Sequence, residues 1–262
     1  MIEHVLVGLG IKAKAGGNIG LPALELLYKN YEYSVLELSS FQLEMIKKIN
    51  CVAAAITNIT PDHLDRHSTF ENYIRIKHKI FENTKNIIIN RNDKNIKKDN
   101  LFFRYSFGGD NPKNDNELGI CLKNEKKYIS NGDKILLSAD EIQLLGNHNL
   151  INVCTCLSVL HSLGFDLKDS ANEIKSFLPI EHRMENFYSS VKVRWINDSK
   201  ATNIESTISA INSLEENIIL IIGGKSKEDN YDKLNQAITD KIRQIIIYGE
   251  SRHTLADIIK DK

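Results

Sequence analysis

Short runs rich in valine and isoleucine alternate with stretches of helical period along most of this chain. That alternation restricts the fold more than any other feature. The strand-like runs fall at residues 33–38, 51–57, 86–90, 191–196, 217–222 and 244–248. The helical stretches fall at 21–28, 69–82, 149–163, 167–177, 204–213, 231–238 and 254–259. Apolar strands followed by helices call for mostly parallel sheets with helices packed on them, so the fold class is α/β. Residues 101–145 depart from the pattern. Three short runs there (101–107, 119–123, 134–137) are separated by Gly, Asn, Asp and Lys, and read as a small antiparallel insertion. The Lys- and Asn-rich stretches 91–100 and 110–116 read as solvated loops. A helix ends near Pro179 and a new strand–helix series begins, which divides the chain into domains at 1–179 and 180–262. Residues 1–9 read as the last turns of a helix, and the chain stops within the second domain's third strand–helix unit. Both ends read as cut.

Charge and cysteine usage narrow the function classes. The 34 basic side chains are matched by 34 acidic ones, so no global field directs the chain to nucleic acid or an anionic membrane. No apolar run approaches the roughly 20 residues of a membrane helix, and no basic start leads into a long apolar core. Cys51, Cys121, Cys154 and Cys156 form no CxxC pair, and three lie in apolar runs. They read as free thiols of a reducing compartment, which makes a cytoplasmic location the expectation.

The polar residues that could carry chemistry gather where strands end. Asn197-Asp198-Ser199-Lys200-Ala201-Thr202-Asn203 follows the run 191–196 and leads into a helix whose Thr202-x-x-Glu205 spacing reads as a capping box. Open α/β sheets bind ligands at such strand ends, where free N–H groups favour an anion. An ordinary polar turn would look the same. Gly16-Gly17-Asn18-Ile19-Gly20 is a glycine-rich turn that could cradle a phosphate, or could use its glycines only for conformation. Gly8-x-Gly10-x-x-Ala13 fits a loose dinucleotide pattern but lacks the preceding strand that pattern needs. Glu37 ends an apolar strand, where it either points outward or is paired with a cation. Thr60-Pro61-Asp62-His63-Leu64-Asp65-Arg66-His67 offers two imidazoles and two carboxylates in one loop, fit for a metal or for a surface turn.

Lys77 is the sharper oddity. Its helix opens with Ser68-x-x-Glu71, a second capping box, and its apolar stripe runs Phe70, Tyr73/Ile74, then Lys77, then Ile80/Phe81. A lysine there snorkels to water, or it is buried with a lowered pKa. A neutral lysine can take up carbon dioxide as a carbamate, an anionic metal ligand. Asn149 and Asn152 share one helix face and could read a base edge or cap the helix. Arg183 could fork a phosphate. Gly223-Gly224-Lys225-Ser226-Lys227 is a flexible cationic turn.

Taken together and in order, GGNIGLPA, LELSSFQLE, NITPDHLDRH, the helix of Lys77, GNHNLIN, HRME, WINDSKATN and GGKSK resemble the Mur ligases of peptidoglycan synthesis. WINDSKATN and LELSSFQLE point to the branch that adds D-glutamate. The resemblance implies a central ATPase-like domain with a mostly parallel sheet, followed by a truncated Rossmann-like α/β domain. It implies an ATP-dependent ligase that joins D-glutamate to UDP-N-acetylmuramoyl-L-alanine through an acyl phosphate, with Mg2+ and a carbamylated Lys77. By the same resemblance Glu37, His63 and Lys77 match magnesium sites, and Asn149, Asn152, Arg183 and Asp198 match the ATP-binding set. Asn18, Ser39 and Gln42 match residues around the UDP-muramoyl substrate. Lys200 matches a lysine beside the reacting phosphates, and Thr202 and Lys227 match residues that receive the amino-acid carboxylate. The catalytic set implied is Lys77, Lys200 and His63. A monomer with no nucleic-acid or membrane partner is expected, with closure of a hinge near Pro179 assembling the site.

Departures accompany the resemblance. The family carries a GTNGKS/T phosphate loop and an amino-terminal UDP-binding domain upstream of where this chain begins, and further carboxyl-terminal contacts to D-glutamate. After Lys227 the chain reads Glu228-Asp229-Asn230-Tyr231, where a small residue and an Asp are expected before the aromatic. The chain as given is therefore expected to show no useful turnover. A non-catalytic nucleotide-binding fragment, and another amino-acid ligase of the Mur/folylpolyglutamate synthase superfamily, are the alternative readings.

Overall fold

The computed structural model describes residues 1–96, 102–214, 217–225 and 231–259. Lys227 and part of the loop expected at 91–100 lie outside the described residues. The chain divides into two compact units, residues 1–143 with 149–177, and residues 144–148 with 178–262.

The first unit begins with α1 (Ile2–Gly8), β1 (Ala13–Gly17), α2 (Ala23–Leu26), β2 (Tyr33–Glu37) and α3 (Ser40–Met45). It continues through β3 (Ala53–Ile56), α4 (Leu64–His67), α5 (Phe70–His78) and β4 (Asn86–Asn90). The strands β5 (Tyr105–Phe107), β6 (Glu117–Lys123), β7 (Lys126–Asn131) and β8 (Lys134–Ser138) follow, then α6 (Asn147–Ser162), whose first two residues belong to the second unit, and α7 (Leu167–Ile174). β1 and β2 pair in parallel. The strands β3 to β8 form one six-stranded sheet in chain order, parallel through β6 and antiparallel beyond it.

The antiparallel strands expected after residue 101 are thus present, but they continue the parallel sheet, and β5 joins it in parallel. β7 escapes a sequence reading because its first residues, Lys126 and Lys127, are exposed. The turn before it is Asn124-Glu125 with φ of 50° and 62°. That is the left-handed pair a two-residue hairpin demands, made here without the usual glycine.

Burial explains the frame. Ile88 and Ile89 of β4 are both 0% exposed, so the strand is covered on both faces, as an isoleucine run in a parallel strand requires. α6 buries Val153, Cys154, Cys156, Leu157 and Leu160, nearly all its circumference, and is a core helix rather than an amphipathic one. Ile56, Ile59, Tyr73, Ile74, Phe81 and Ile89 pack into one cluster that joins α5 to the sheet.

The caps differ from expectation by one residue. α5 is capped by Thr69, whose hydroxyl accepts from Asn72 N–H at 3.1 Å, because Ser68 turns into positive φ. α8 (Ile204–Ser213) in the second unit is capped by Asn203, which accepts from Ser206 N–H at 2.8 Å. Thr202 is one residue too early to do so.

The second unit holds an antiparallel pair, β9 (Glu185–Ser189) and β10 (Arg194–Asn197), and a parallel pair, β11 (Ile218–Gly223) and β12 (Ile242–Tyr248). The helices α8, α9 (Asp232–Ala237) and α10 (Arg252–Ile259) bury Ile204, Ile211, Leu234 and Leu255 against one side of the parallel pair. β9 has no apolar run to announce it in the sequence. Val191 and Val193, read as strand, lie before β10 and are exposed. Among the described residues no helix is long and apolar enough to cross a membrane.

Candidate active site

The carboxyl ends of β1, β2 and β3 carry the polar groups of the first unit. The glycine-rich turn follows β1, and its glycines have steric reasons. A Cβ on Gly17 would stand 2.4 Å from the Glu37 carbonyl oxygen, and Gly17 has φ of +108°. A Cβ on Gly16 would stand 2.4 Å from the Leu21 carbonyl oxygen. Close pairing with β2 lets Asn18 N–H donate to the Glu37 carbonyl at 2.8 Å, which fixes exposed Asn18 beside the end of β2. The Glu37 side chain is exposed, so no burial cost forces a partner on it.

Two residues later α3 opens with a reciprocal cap. Gln42 N–H donates to Ser39 Oγ at 3.2 Å, and Ser39 N–H donates to Gln42 Oε1 at 2.9 Å. Ser39 and Gln42, named separately from sequence, are one local unit.

The loop after β3 brings His63 forward in a left-handed conformation, φ 53°, beside Asp62 at 3.5 Å and the Phe41 ring at 4.9 Å. His67, the loop's second imidazole, is different. It is 1% exposed, with Nε2 2.9 Å from Ser40 Oγ and its ring against Phe41 and Tyr73. It holds α4 to α3 and is not available to a ligand.

Lys77 is half-buried on α5 with its ammonium 5.8 Å from the Tyr73 ring. Loss of water lowers its pKa, against the pull of Glu37 and then Asp62. Burial also raises the Tyr73 phenol, with Asp62 adding to the shift. Lys77, Glu37, Asp62 and Tyr73 therefore share one electrostatic neighbourhood although they come from different strand–helix units. Sequence reasoning does not single out Asp62 or Tyr73. Asp62 sits inside a polar loop with other candidates, and Tyr73 looks like one more residue of an apolar stripe.

Among the described residues no three His, Cys, Asp or Glu side chains gather closely enough to hold a metal by themselves. Magnesium asks for less: it keeps several waters and takes one or two carboxylates plus substrate phosphates. Glu37 and Asp62, whose charges both act on Lys77, supply carboxylates of that kind. Further along, Asn152 Nδ2 donates to Asn149 Oδ1 at 3.2 Å, so the two amides lie together on α6.

The second unit gathers its own polar set. Asp198 accepts from Met184 N–H at 3.0 Å, and Lys200 N–H donates to the His182 carbonyl at 3.1 Å. Asn197 Nδ2 lies 2.8 Å from His182 Nδ1. His182 and Met184 both have positive φ, at 66° and 47°, in a tight turn that presents exposed Arg183 beside the strand end. His148 has its pKa lowered by burial, against the pull of Asp198 and with the help of Arg183. Thr202 is exposed just before the α8 cap.

Two family models match the chain. Residues 4–160 match the model described as Mur ligase middle domain, and residues 182–262 match Mur ligase, glutamate ligase domain. The chain is 36% identical over 259 residues to the UDP-N-acetylmuramoylalanine–D-glutamate ligase of Shewanella oneidensis, covering 98% of this chain and 58% of that protein. It is 36% identical to the enzyme of the same name from Legionella pneumophila, covering 95% and 58%. The chain thus spans less than two thirds of the length of these curated relatives. Among solved structures it resembles UDP-N-acetylmuramate-alanine ligase MurC from Thermotoga maritima, with TM-score 0.70, 18% identity, and 99% and 61% of the two chains covered. Folylpolyglutamate synthase from Thermotoga maritima gives TM-score 0.65 at 14% identity, with 99% and 75% covered. At such identities the structural likeness speaks for the fold alone.

Proposed function

This chain belongs to the Mur ligase family, and on that premise we propose that the protein containing it joins D-glutamate to UDP-N-acetylmuramoyl-L-alanine at the expense of ATP. The observation that carries the reading is Lys77, half-buried on α5 beside the Tyr73 ring, its pKa lowered by burial against the charges of Glu37 and Asp62. The D-glutamate assignment draws support from relatives of that name at 36% identity.

The chemistry follows from the difficulty of acylating an amine with a carboxylate, whose oxide is a poor leaving group. A carboxylate oxygen of the muramoyl substrate attacks the γ-phosphorus of ATP, and ADP leaves. The D-glutamate amine then attacks the acyl carbon, loses a proton, and phosphate leaves with the C–O bonding pair. Bound Mg2+ would neutralise charge on the phosphates. Glu37, His63 and Lys77 are the residues we assign to hold it. A depressed pKa leaves more of Lys77 as the free amine. Its lone pair adds to carbon dioxide, an N–C bond forms, a proton is released to water, and a two-oxygen anion replaces the cation. Asn149, Asn152, Arg183 and Asp198 are assigned to ATP, and Lys200 to the charge that develops on the transferred phosphoryl group. Asn18, Ser39 and Gln42 are assigned to the UDP-muramoyl substrate, and Thr202 and Lys227 to the amino-acid carboxylate.

The test is amino-acid-dependent phosphate release by the full-length protein with ATP, Mg2+ and UDP-N-acetylmuramoyl-L-alanine. D-glutamate should be preferred over a panel of other amino acids. Lys77→Ala should abolish turnover, and a short-chain carboxylic acid should restore part of it. Preference for a different amino acid would reassign the enzyme within the family, and full activity of Lys77→Ala would remove the carbamate.

A further inference from the structure

The loop that carries Asp62 and His63 has no regular structure from Thr57 to His63, yet its main chain is gripped from outside. Asp93 Oδ2 accepts from Ile59 N–H at 2.7 Å, and Asn95 Nδ2 donates to the Ile59 carbonyl at 2.8 Å. Both polar groups of one buried residue, 1% exposed, are thereby satisfied by side chains more than thirty positions away. The grip is itself braced. Asp93 Oδ1 accepts from Asn95 N–H at 2.8 Å, which locks the two side chains into one turn. Asn90 Nδ2 donates to the Thr57 carbonyl at 2.8 Å, a third tie to the same loop. Ile59 and Ile96 then close the arrangement from the apolar side.

The chemistry of each position is specific. Asp93 accepts two N–H bonds, one on each oxygen, which an ionised carboxylate does and an amide cannot. Asn95 must donate to a carbonyl, which a carboxylate cannot do. A loop needing only shelter from water would not require a donor and an acceptor in this order. Asp62 lies three positions after Ile59, so displacement of Ile59 shifts the segment that carries the Asp62 carboxylate, whose charge acts on Lys77 and Tyr73.

We propose that Asp93 and Asn95 are positioning residues for the ligase reaction: they clamp the Ile59 main chain and so fix the loop that carries Asp62 and His63. The inference rests on the function proposed above for its catalytic consequence, and on the hydrogen bonds alone for the clamp. Residues that orient a metal-binding group are worth 10- to 100-fold in metal affinity in general, so about tenfold is expected here.

The experiment uses the full-length protein and three variants: Asp93→Asn, Asn95→Asp, and Asn131→Ala as a control. Asn131 is a buried amide that donates to the carbonyls of Asp115 and Glu117, so its loss costs stability elsewhere in the same unit. Mn2+ binding in the presence of ADP, followed by electron paramagnetic resonance of the free ion, should weaken about tenfold in the first two variants and stay within about twofold in the control. Hydrogen exchange of peptides covering residues 58–66 should speed up in the first two only. The Mg2+ concentration for half-maximal turnover should rise with the loss of Mn2+ affinity. Unchanged exchange at 58–66 in Asp93→Asn and Asn95→Asp overturns the clamp, as does an equal metal effect in Asn131→Ala. A wild-type protein that neither ligates nor binds Mn2+ overturns the proposed function and the catalytic consequence, and hydrogen exchange then decides the clamp by itself.

Discussion

Replacing Lys77 by methionine separates the electrostatic cost of this lysine from its chemistry. Lys77 is half-buried on α5, and its loss of water outweighs the attraction of Glu37 and Asp62. The protonated form of Lys77 is thus less favoured in the folded protein than in water. Methionine keeps the unbranched stem and most of the volume, and removes the charge. Exchanging a poorly solvated charge for an apolar residue of similar shape gains on the order of 1 to 2 kcal/mol, with the low end apt because part of the side chain still meets water. The ammonium gives up its approach to the Tyr73 ring, 5.8 Å away, a contact of about 0.5 kcal/mol at such a site. A thioether against the same ring returns a similar amount. Lys77→Met should therefore be more stable than wild type by about 1 kcal/mol at neutral pH while its ligase turnover is lost.

The pH dependence has a definite sign. The folded-state pKa of Lys77 lies below the unfolded one. Between the two values the unfolded chain binds more protons, so wild-type stability rises with pH there. The advantage of methionine should shrink as pH climbs toward about 10.4, the ordinary lysine value. Urea unfolding of metal-free protein, followed by far-ultraviolet circular dichroism at neutral and alkaline pH, measures both. A methionine variant less stable than wild type at neutral pH, or a gap that does not narrow on the alkaline side, would refute the reasoning.

Asn203→Ala should cost about 1 kcal/mol by removing the cap on Ser206 N–H, with Asn203→Ser recovering most of it. Thr202→Ala should change stability by less than about 0.5 kcal/mol, since Thr202 is not the cap, and should instead raise the KM for the amino acid. Urea unfolding beside steady-state kinetics distinguishes the two. Gly17→Ala should cost about 2 kcal/mol or more, because the new Cβ meets the Glu37 carbonyl and the backbone is left-handed. Faster hydrogen exchange at Asn18 N–H, now bonded to that carbonyl, would locate the damage, and unchanged exchange would contradict it.

Much of the frame is legible in the sequence because it depends on local pattern. The isoleucine run of β4 forms a strand buried on both faces, and α8 spans the stretch its apolar period marks out. Differences arise where one residue of geometry decides. The S/T-x-x-E spacing marks both capping regions, but the capping residue depends on where positive φ or an extended residue falls, which spacing does not encode. β7 is hidden because exposed lysines mask its alternation, and β9 because most of its residues face water.

By itself the sequence determined that strands would end in polar loops bearing Glu37, His63, Asp198 and Lys200, because hydrophobic period and turn chemistry act over a few residues. Only the tertiary structure decided which of those groups feel one another. The charge of Asp62 acts on Lys77, His67 is withdrawn into the core against Ser40, and Asp93 with Asn95 reaches back to Ile59. Charge and hydrogen bonding act through space at distances set by how strands pair, and no local pattern records that pairing.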